Sequence, residues 1–207
     1  MSLLGRLPFV GRLFRHVDPM PADVVEFWKA ITTHYGTTLV DKASSEEMKF
    51  VAEALDLMQV VDKHAFLTNY TTTIGDKIYL PFTPGTPTDA WPLWQQIVVG
   101  VHEHVHCAQS RGVGLPAFNW NYLTSPAQRA QYEAEAYRTG MVLEWRYQGQ
   151  MLNPTTLAQL LMFYGCSAAD IAVTEKMLAL SIPAIKAGAA GSDVCRWAMT
   201  WLDARWH

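Results

Sequence analysis

The chain has 207 residues, of which 50% are hydrophobic, and a formal net charge of −3. This length and composition fit one domain with a substantial core, and the balanced charge excludes the basic footprint of a nucleic-acid-binding protein. Three widely spaced cysteines exclude a disulfide framework and a CxxC zinc knuckle, and they favour a reducing compartment.

The first 17 residues form an apolar and basic N-terminal arm. Gly5, Pro8 and Arg12 interrupt every candidate signal-peptide core, and no later run reaches the roughly 18 apolar residues of a membrane span. The chain therefore fits a cytoplasmic protein and, equally, a phage-encoded or non-classically delivered one. Residues 1–17 are open to two interpretations, an arm that packs on the domain or a segment that docks on a protein or membrane surface.

Two amphipathic helices are predicted after this arm. From Ala22 to Tyr35, apolar residues recur at helical spacing, and Gly36 ends the pattern. Ser44 and Glu47 form a predicted capping box at the start of the second helix. Both helices are expected to serve as scaffold.

The segment from Phe66 to Phe82 changes to a strand-like pattern. It is rich in β-branched and aromatic residues, and Gly75 and Asp76 separate two such runs. This pattern predicts a β-hairpin with a two-residue turn.

A helix that carries several histidines is predicted next. It extends from about Ala90 to Ser110, with Thr88 or Asp89 as its N-cap and Gly112 at its end. The stretch GLPAFNWNYLT that follows has no clear period and is expected to be a connector.

The rest of the chain predicts further helices from their capping residues. These helices run from Ser125-Pro126 to about Tyr147, from Asn153-Pro154 to near Gly165, from Ser167 onward with an interruption at Pro183, and from Ser192 to the end. We therefore expect a single domain over residues 1–207 of the α+β class, mostly helical with a small β element before the histidine-rich helix.

The stretch VVGVHEHVHCAQS places three histidines on this helix. At about 100° per residue, His102 and His106 lie about 40° apart on one face, whereas His104 falls about 200° from His102. His102 and His106 are therefore the predicted metal-binding pair. His104 is expected to be a packed or supporting imidazole.

Glu103 completes an HExxH motif with this pair. It lies about 100° from His102, which places its carboxylate beside an ion that the two histidines hold. In this arrangement the histidines bind zinc, and the glutamate acts as general base on a water molecule. The alternative is a histidine-rich core helix in a protein without metal.

A catalytic zinc site needs a third protein ligand, for which Glu133 and Glu135 are the candidates. Small residues surround Glu133 on the helical wheel and would allow the close approach of another helix. Polar residues surround Glu135, including Arg138 at a spacing that permits an ion pair. Glu133 is therefore the predicted third ligand, and Glu135 is expected to be a surface charge.

The motif and the later glutamate resemble the gluzincin branch of the zincin metallopeptidases. The resemblance covers about residues 91–148, and EAEAY is also similar to the E-x-x-A-D element of CAAX-processing peptidases and related small zincins. It implies a zinc-dependent hydrolase of peptide bonds, with residues 90–148 as the metal-site core and Glu103 as general base. Tyr137 stands where that element has Asp, so it cannot supply a carboxylate to orient a ligating histidine.

This resemblance implies further roles and leaves a second class open. Tyr122, Tyr137 and Arg138 are the candidate donors to the oxyanion, but each is more often a structural residue and none is assigned this role. The edge of the hairpin would either bind an extended peptide or protein substrate by β-augmentation or only cover the core. The competing hypothesis is a non-catalytic zincin-like scaffold or binding protein, in which zinc only fastens two helices together.

Overall fold

The structure is a computed structural model that describes residues 16–57 and 63–206. Most of the N-terminal arm, whose role remains a prediction, lies outside the described residues. The helices are α1 (Pro21–Tyr35), α2 (Glu46–Leu57), α3 (Lys63–Asn69), α4 (Leu93–Val113), α5 (Leu115–Thr124), α6 (Pro126–Leu143), α7 (Pro154–Gln159), α8 (Ala168–Lys186) and α9 (Asp193–Trp206). A π-helical segment (Glu144–Gln148) extends α6, and a 3-10 segment (Leu160–Tyr164) extends α7. The predicted class, mostly helical α+β, is confirmed.

One small sheet contains three strands, β1 (Thr38–Asp41), β2 (Thr72–Ile74) and β3 (Lys77–Leu80), in the order β1-β3-β2. β2 and β3 are antiparallel and meet at the predicted Gly75-Asp76 turn, where Gly75 has a φ of 61°. β1 pairs with β3 in parallel. The sequence does not predict β1, because four residues are too few to display an alternating pattern.

Part of the predicted hairpin is helical instead. The residues before Tyr70 belong to α3, which ends at Asn69, so the first strand begins only at Thr72. β-Branched and aromatic residues are poor evidence for a strand where tertiary contacts favour a helix, since strand propensity depends strongly on context.

The core surrounds α4, which packs against α1, α6 and α9. Phe27 and Trp28 of α1 are fully buried against this helix. A Cβ atom added at Gly100 would lie 3.0 Å from Phe27 and 3.1 Å from Trp28. The absence of a side chain at Gly100 therefore allows α1 to pack closely on α4.

Helices α4 and α6 pack against each other in antiparallel directions. The Gln109 side chain donates to the carbonyl oxygen of Tyr132 near the start of α6, whereas Trp94 donates to Glu144 at its end. Between these contacts, a Cβ atom added at Gly140 would lie 3.5 Å from a valine of α4. The small-residue face predicted around Glu133 thus faces α4.

The predicted capping box at the start of α2 is wrong, because Ser45 rather than Ser44 caps the helix. The Ser45 hydroxyl accepts from the backbone N–H of Met48 at 3.3 Å, whereas the Ser44 hydroxyl donates to a carbonyl oxygen of β1. The Glu47 carboxylate accepts a hydrogen bond from the Tyr79 hydroxyl on β3. A tertiary contact has therefore replaced the local bond that the sequence suggested.

Other predicted caps are confirmed. The Ser125 hydroxyl accepts from the backbone N–H of Gln128, and Ser167 forms a capping box with Asp170 at the start of α8. The helix predicted from Ser125 to about Tyr147 is continuous, although its last turn is π-helical.

Several boundaries differ from the prediction. α4 begins at Leu93 rather than Ala90, because the backbone at Pro92 is extended, and it continues past Gly112 to Val113. The predicted connector is helix α5, in which Phe118 is the buried residue, so apolar side chains do not mark one face.

Pro183 does not interrupt α8. The helix extends for three further residues, to Lys186. This proline lies one turn from the helix end, where the loss of one backbone hydrogen bond has little further consequence. In the described part of the chain, no helix combines the length and apolar character needed to cross a bilayer.

Candidate metal centre

His102, His106 and Glu133 lie together where α4 packs on α6. The two histidine Nε2 atoms are 3.1 Å apart. His102 Nε2 is 3.4 Å from Glu133 Oε2, and His106 Nε2 is 3.4 Å from Glu133 Oε1. The structure therefore brings the three predicted ligands into one cluster, whose ligand atoms lie within 4.8 Å of one another.

The spacing of these atoms fits a tetrahedral ion. With zinc–ligand bonds of about 2.0–2.1 Å, neighbouring ligand atoms in a tetrahedron are separated by about 3.3–3.4 Å. Glu133 Oε2 is also buried without a hydrogen-bond partner among the described residues, although buried carboxylate oxygens are normally paired. A cation bound between the three side chains would satisfy this oxygen.

Neighbouring side chains orient two of the ligands. The Tyr122 hydroxyl donates to Glu133 Oε1 at 2.6 Å. His106 Nδ1 lies 2.9 Å from Gln109 Oε1, and a proton on Nδ1 leaves the Nε2 lone pair directed at the cluster. Such supporting hydrogen bonds commonly determine the tautomer and orientation of metal ligands.

The charges of the cluster favour a cation. Burial alone would lower the pKa of His106, but the adjacent Glu133 carboxylate outweighs it and raises that pKa to about 9. Burial would likewise raise the pKa of Glu133, yet the two histidines hold it well below its usual range. A buried carboxylate therefore faces two imidazole nitrogens, and positive charge between these groups, carried by a proton or by a metal cation, stabilises the arrangement.

Glu103 lies beside the cluster and is 4% exposed. The Thr71 hydroxyl donates to one of its carboxylate oxygens, and the Thr73 hydroxyl donates to the other at 2.6 Å. A carboxylate offers about four acceptor positions, so lone pairs remain after these two bonds. The two threonines hold the carboxylate of Glu103 in a defined orientation at the wall of a cavity.

His104 is a packed imidazole, as predicted. It is fully buried, its Nδ1 lies 2.6 Å from the carbonyl oxygen of Gly100, and its Nε2 lies 2.9 Å from the Thr37 hydroxyl. Burial lowers its pKa to about 4. His104 therefore joins α4 to the segment before β1 and points away from the other two histidines.

The structure distinguishes Glu133 from Glu135. Glu133 is 1% exposed, whereas Glu135 is exposed and accepts a hydrogen bond from Gln109 at 2.9 Å. Arg138 does not take the predicted role of partner to Glu135, since its guanidinium donates to the carbonyl oxygen of Gly191 at 2.5 Å.

The three candidate oxyanion donors occupy different places. Tyr122 is bonded to Glu133, and Arg138 is bonded to the connector before α9. The Tyr137 ring packs 5.5 Å from the His102 ring and lines the cavity. Tyr164, which the sequence does not single out, lines the same cavity, and burial raises the pKa of both tyrosines above the usual range. Both hydroxyls therefore remain protonated donors.

Lys42 is a second residue that the sequence does not single out. It is fully buried, and its Nζ donates to the carbonyl oxygen of Tyr70 at 2.8 Å and to the Thr72 hydroxyl at 2.9 Å. Burial lowers its pKa to about 7, although the nearby Glu103 opposes this shift. Lys42 thus secures the segment that carries the two threonines bonded to Glu103.

A cavity of about 500 Å³ opens beside the cluster. α4 and α6 form two of its walls, and the 3-10 segment and the chain before β2 form the others. The side chains nearest the cluster are polar or aromatic, namely Tyr70, Thr71, His102, Glu103, Tyr137 and Tyr164. A substrate in this cavity would meet His102 and Glu103 on the same wall.

No protein-family model, curated protein or solved structure matches this chain. The likeness to gluzincins therefore remains a prediction from the motif and the later glutamate.

Proposed function

We propose that this protein is a zinc-dependent hydrolase of peptide bonds, in which His102, His106 and Glu133 hold the ion. One observation carries the proposal. The two histidine Nε2 atoms are 3.1 Å apart, and each lies 3.4 Å from one oxygen of the buried Glu133 carboxylate. The oxygen nearest His102 has no hydrogen-bond partner among the described residues.

Zinc held by His102, His106 and Glu133 would supply Lewis acidity, which would acidify a water molecule and polarise a carbonyl oxygen. Glu103 accepts the proton of the attacking water and returns it to the leaving amine. Thr71 and Thr73 keep its carboxylate directed at the cavity. Because Glu103 is buried, proton transfer takes place away from bulk solvent.

Two further parts of the molecule suit a peptide substrate. Tyr137 and Tyr164 line the cavity and are hydrogen-bonded to each other. The hydroxyl proton that this bond leaves free would stabilise negative charge that develops on the carbonyl oxygen. β2 lies at an edge of the sheet, and its Thr73 is bonded to Glu103. An extended peptide that pairs with β2 would therefore pass close to the proposed general base.

The first experiment measures zinc per chain in purified protein. We expect about one ion in the wild type, loss of the ion in Glu133→Ala, and retention in Glu135→Ala, a matched change on the same helix. A wild-type protein that takes up no zinc even after incubation with the metal would overturn the proposal.

The second experiment tests catalysis on a zinc-loaded sample. Glu103→Gln should keep its zinc and lose peptide hydrolysis by about 10²–10⁴-fold, because the general base is removed while the ligands remain. Undiminished turnover by a clean preparation of this variant would exclude Glu103 as the base.

A structural zinc site is the second candidate, and one observation favours it. Both Glu103 oxygens are bonded to threonines around β2, so this carboxylate also fastens α4 to the sheet. A scaffold of this kind would bind zinc, lose stability on His102→Ala, and hydrolyse no peptide whether or not Glu103 is present. The peptide assay on the zinc-loaded wild type therefore separates the two candidates.

A further inference from the structure

The cavity continues away from the metal cluster along the groove between α4 and α6. The helices are antiparallel, so the groove passes residues that precede His102 on α4 and residues that follow Glu133 on α6. Beyond the cluster its walls are largely apolar, formed by Val98, Val99, Leu152, Leu157, Leu160 and Phe163. Walls of this kind suit the aliphatic part of a long side chain.

Glu144 lies at the far end of this groove. It lines the cavity and is half-buried, and the Trp94 indole donates to its Oε1 at 2.8 Å. Among the described residues no basic side chain forms an ion pair with it, and Arg146, two positions later, is bonded to Asp203. Burial raises the pKa of Glu144, and this rise is opposed by the Trp94 bond and by His16.

A carboxylate in such surroundings favours a cationic partner. Burial of an unpaired charge is unfavourable, and an opposite charge with hydrogen-bond donors offsets that cost. The polar end of the groove therefore selects for an ammonium or guanidinium group, while its apolar length selects for a methylene chain.

The dimensions agree with a side chain of this kind. Glu144 is 11 positions after Glu133, so their Cα atoms are separated by about 16 Å along the helix axis. The side chains of Glu133 and Glu144 both lean toward the N-terminus of the helix, so their carboxylates are also separated by about 16 Å along the axis. An extended lysine or arginine side chain reaches about 6–7 Å from its own Cα. With a hydrogen bond of about 2.8 Å to Glu144, the Cα atom of that residue would lie about 6–7 Å along the groove from the Glu133 carboxylate. A residue next to the cleaved bond would reach Glu144 only with its side chain fully extended along the groove.

We propose that this groove binds a lysine or arginine side chain of the substrate next to the cleaved bond, with Glu144 as the specificity-determining residue. The substrate class rests on the proposed function, whereas recognition of the cationic side chain by the groove can be measured without metal or turnover.

The test compares two probes that differ in charge, Nα-acetyl-lysine methylamide and Nα-acetyl-norleucine methylamide. Binding to the full chain is followed by tryptophan fluorescence and by calorimetry, in chelator-treated and zinc-loaded protein. We expect the lysine probe to bind about tenfold more tightly or better, because a hydrogen bond to a charged group is lost with norleucine. Glu144→Gln should remove this preference and leave norleucine binding unchanged, which also reports that the cavity is intact.

Two further variants complete the design. Glu46→Gln, an exposed glutamate of α2, should retain the preference. Gly140→Val adds bulk to the cavity wall and should weaken both probes. Equal binding of the two probes by the wild type, or an unchanged lysine preference in Glu144→Gln, would overturn the inference.

Failure of this inference and failure of the proposed function give different results. Hydrolysis of peptides with no preference for basic residues would reject the role of Glu144 and keep the hydrolase. A lysine preference that depends on Glu144, in a protein that neither binds zinc nor cleaves peptides, would reject the hydrolase and keep the cation-binding groove.

Discussion

At the scale of single residues, the cluster depends on side chains that support the ligands and the proposed base. Tyr122 holds one oxygen of Glu133, Gln109 orients His106, and Thr73 holds Glu103. None of these residues belongs to the HExxH motif. Each one restricts a ligand or the proposed base to a single orientation, which reduces the reorganisation needed when an ion or a substrate binds.

Lys42 gives a pH-dependent prediction at this scale. Burial lowers its pKa in the folded protein from the ordinary value of 10.5 to about 7, so between these two pH values the unfolded chain binds more protons. The free energy of unfolding of the wild type, relative to Lys42→Met, should therefore rise with pH from 7 toward 10.5, with a slope of at most about 1.4 kcal/mol per pH unit. Urea denaturation at pH 7, 8 and 9.5 measures this difference.

The matched control for Lys42 is Lys49→Met. Lys49 lies on the exposed side of α2 and pairs with Glu46 in solvent. Its contribution to the free energy of unfolding should change little over the same pH range. A difference between wild type and Lys42→Met that stays flat with pH would show that the buried ammonium is stabilised more strongly than its surroundings suggest.

At the scale of elements, α4 places the site because it is packed on several sides. The helical period alone predicts which face of α4 carries the metal-binding pair. In the structure, His102 and His106 face α6, and His104 faces the segment before β1. The helical period did not predict α5, because Phe118 is its single buried residue and no row of apolar side chains follows one face of the helix. The helical period therefore predicted α4, which has a buried face, and did not predict α5. The largely exposed α8 was predicted from its N-terminal cap.

Two glycines of α4 give a prediction about its packing. Gly100→Ala should lower the free energy of unfolding by about 1–2 kcal/mol, because the new methyl group presses on the buried rings of Phe27 and Trp28. Gly112→Ala should raise it by up to about 1 kcal/mol, since nothing lies within 4 Å of the added atom and alanine favours the helix. Urea denaturation of both variants measures these free energies of unfolding. A stabilised Gly100→Ala protein would contradict the prediction and would mean that α1 shifts easily to accommodate the methyl group.

At the scale of the whole molecule, the proposed ion joins α4 to α6 near the centre of the fold. Zinc at 100 times its dissociation constant should add about 2.7 kcal/mol to the free energy of unfolding, which corresponds to about 5–10 °C in melting temperature for a domain of this size. A chelator should reverse the shift. Differential scanning calorimetry with and without zinc measures it.

Histidine variants provide the controls for this shift. His102→Ala removes a ligand and should abolish the effect of zinc, whereas His64→Ala changes an exposed histidine of α3 and should retain it. A melting temperature that is the same with zinc and with chelator would favour a helical protein without metal.

The sequence by itself determined the class of the fold, the hairpin turn, most helix starts, and the three clustered side chains. These features follow from local rules, because the helical period decides which residues share a face and capping residues act within one turn. The tertiary structure alone decided that Tyr122 supports Glu133, that Lys42 is buried beside the threonine segment, and that Glu144 ends the groove from His102. These contacts join segments that are distant along the chain, and no local periodicity relates them, so only the packing of the helices on one another and on the sheet brings them together.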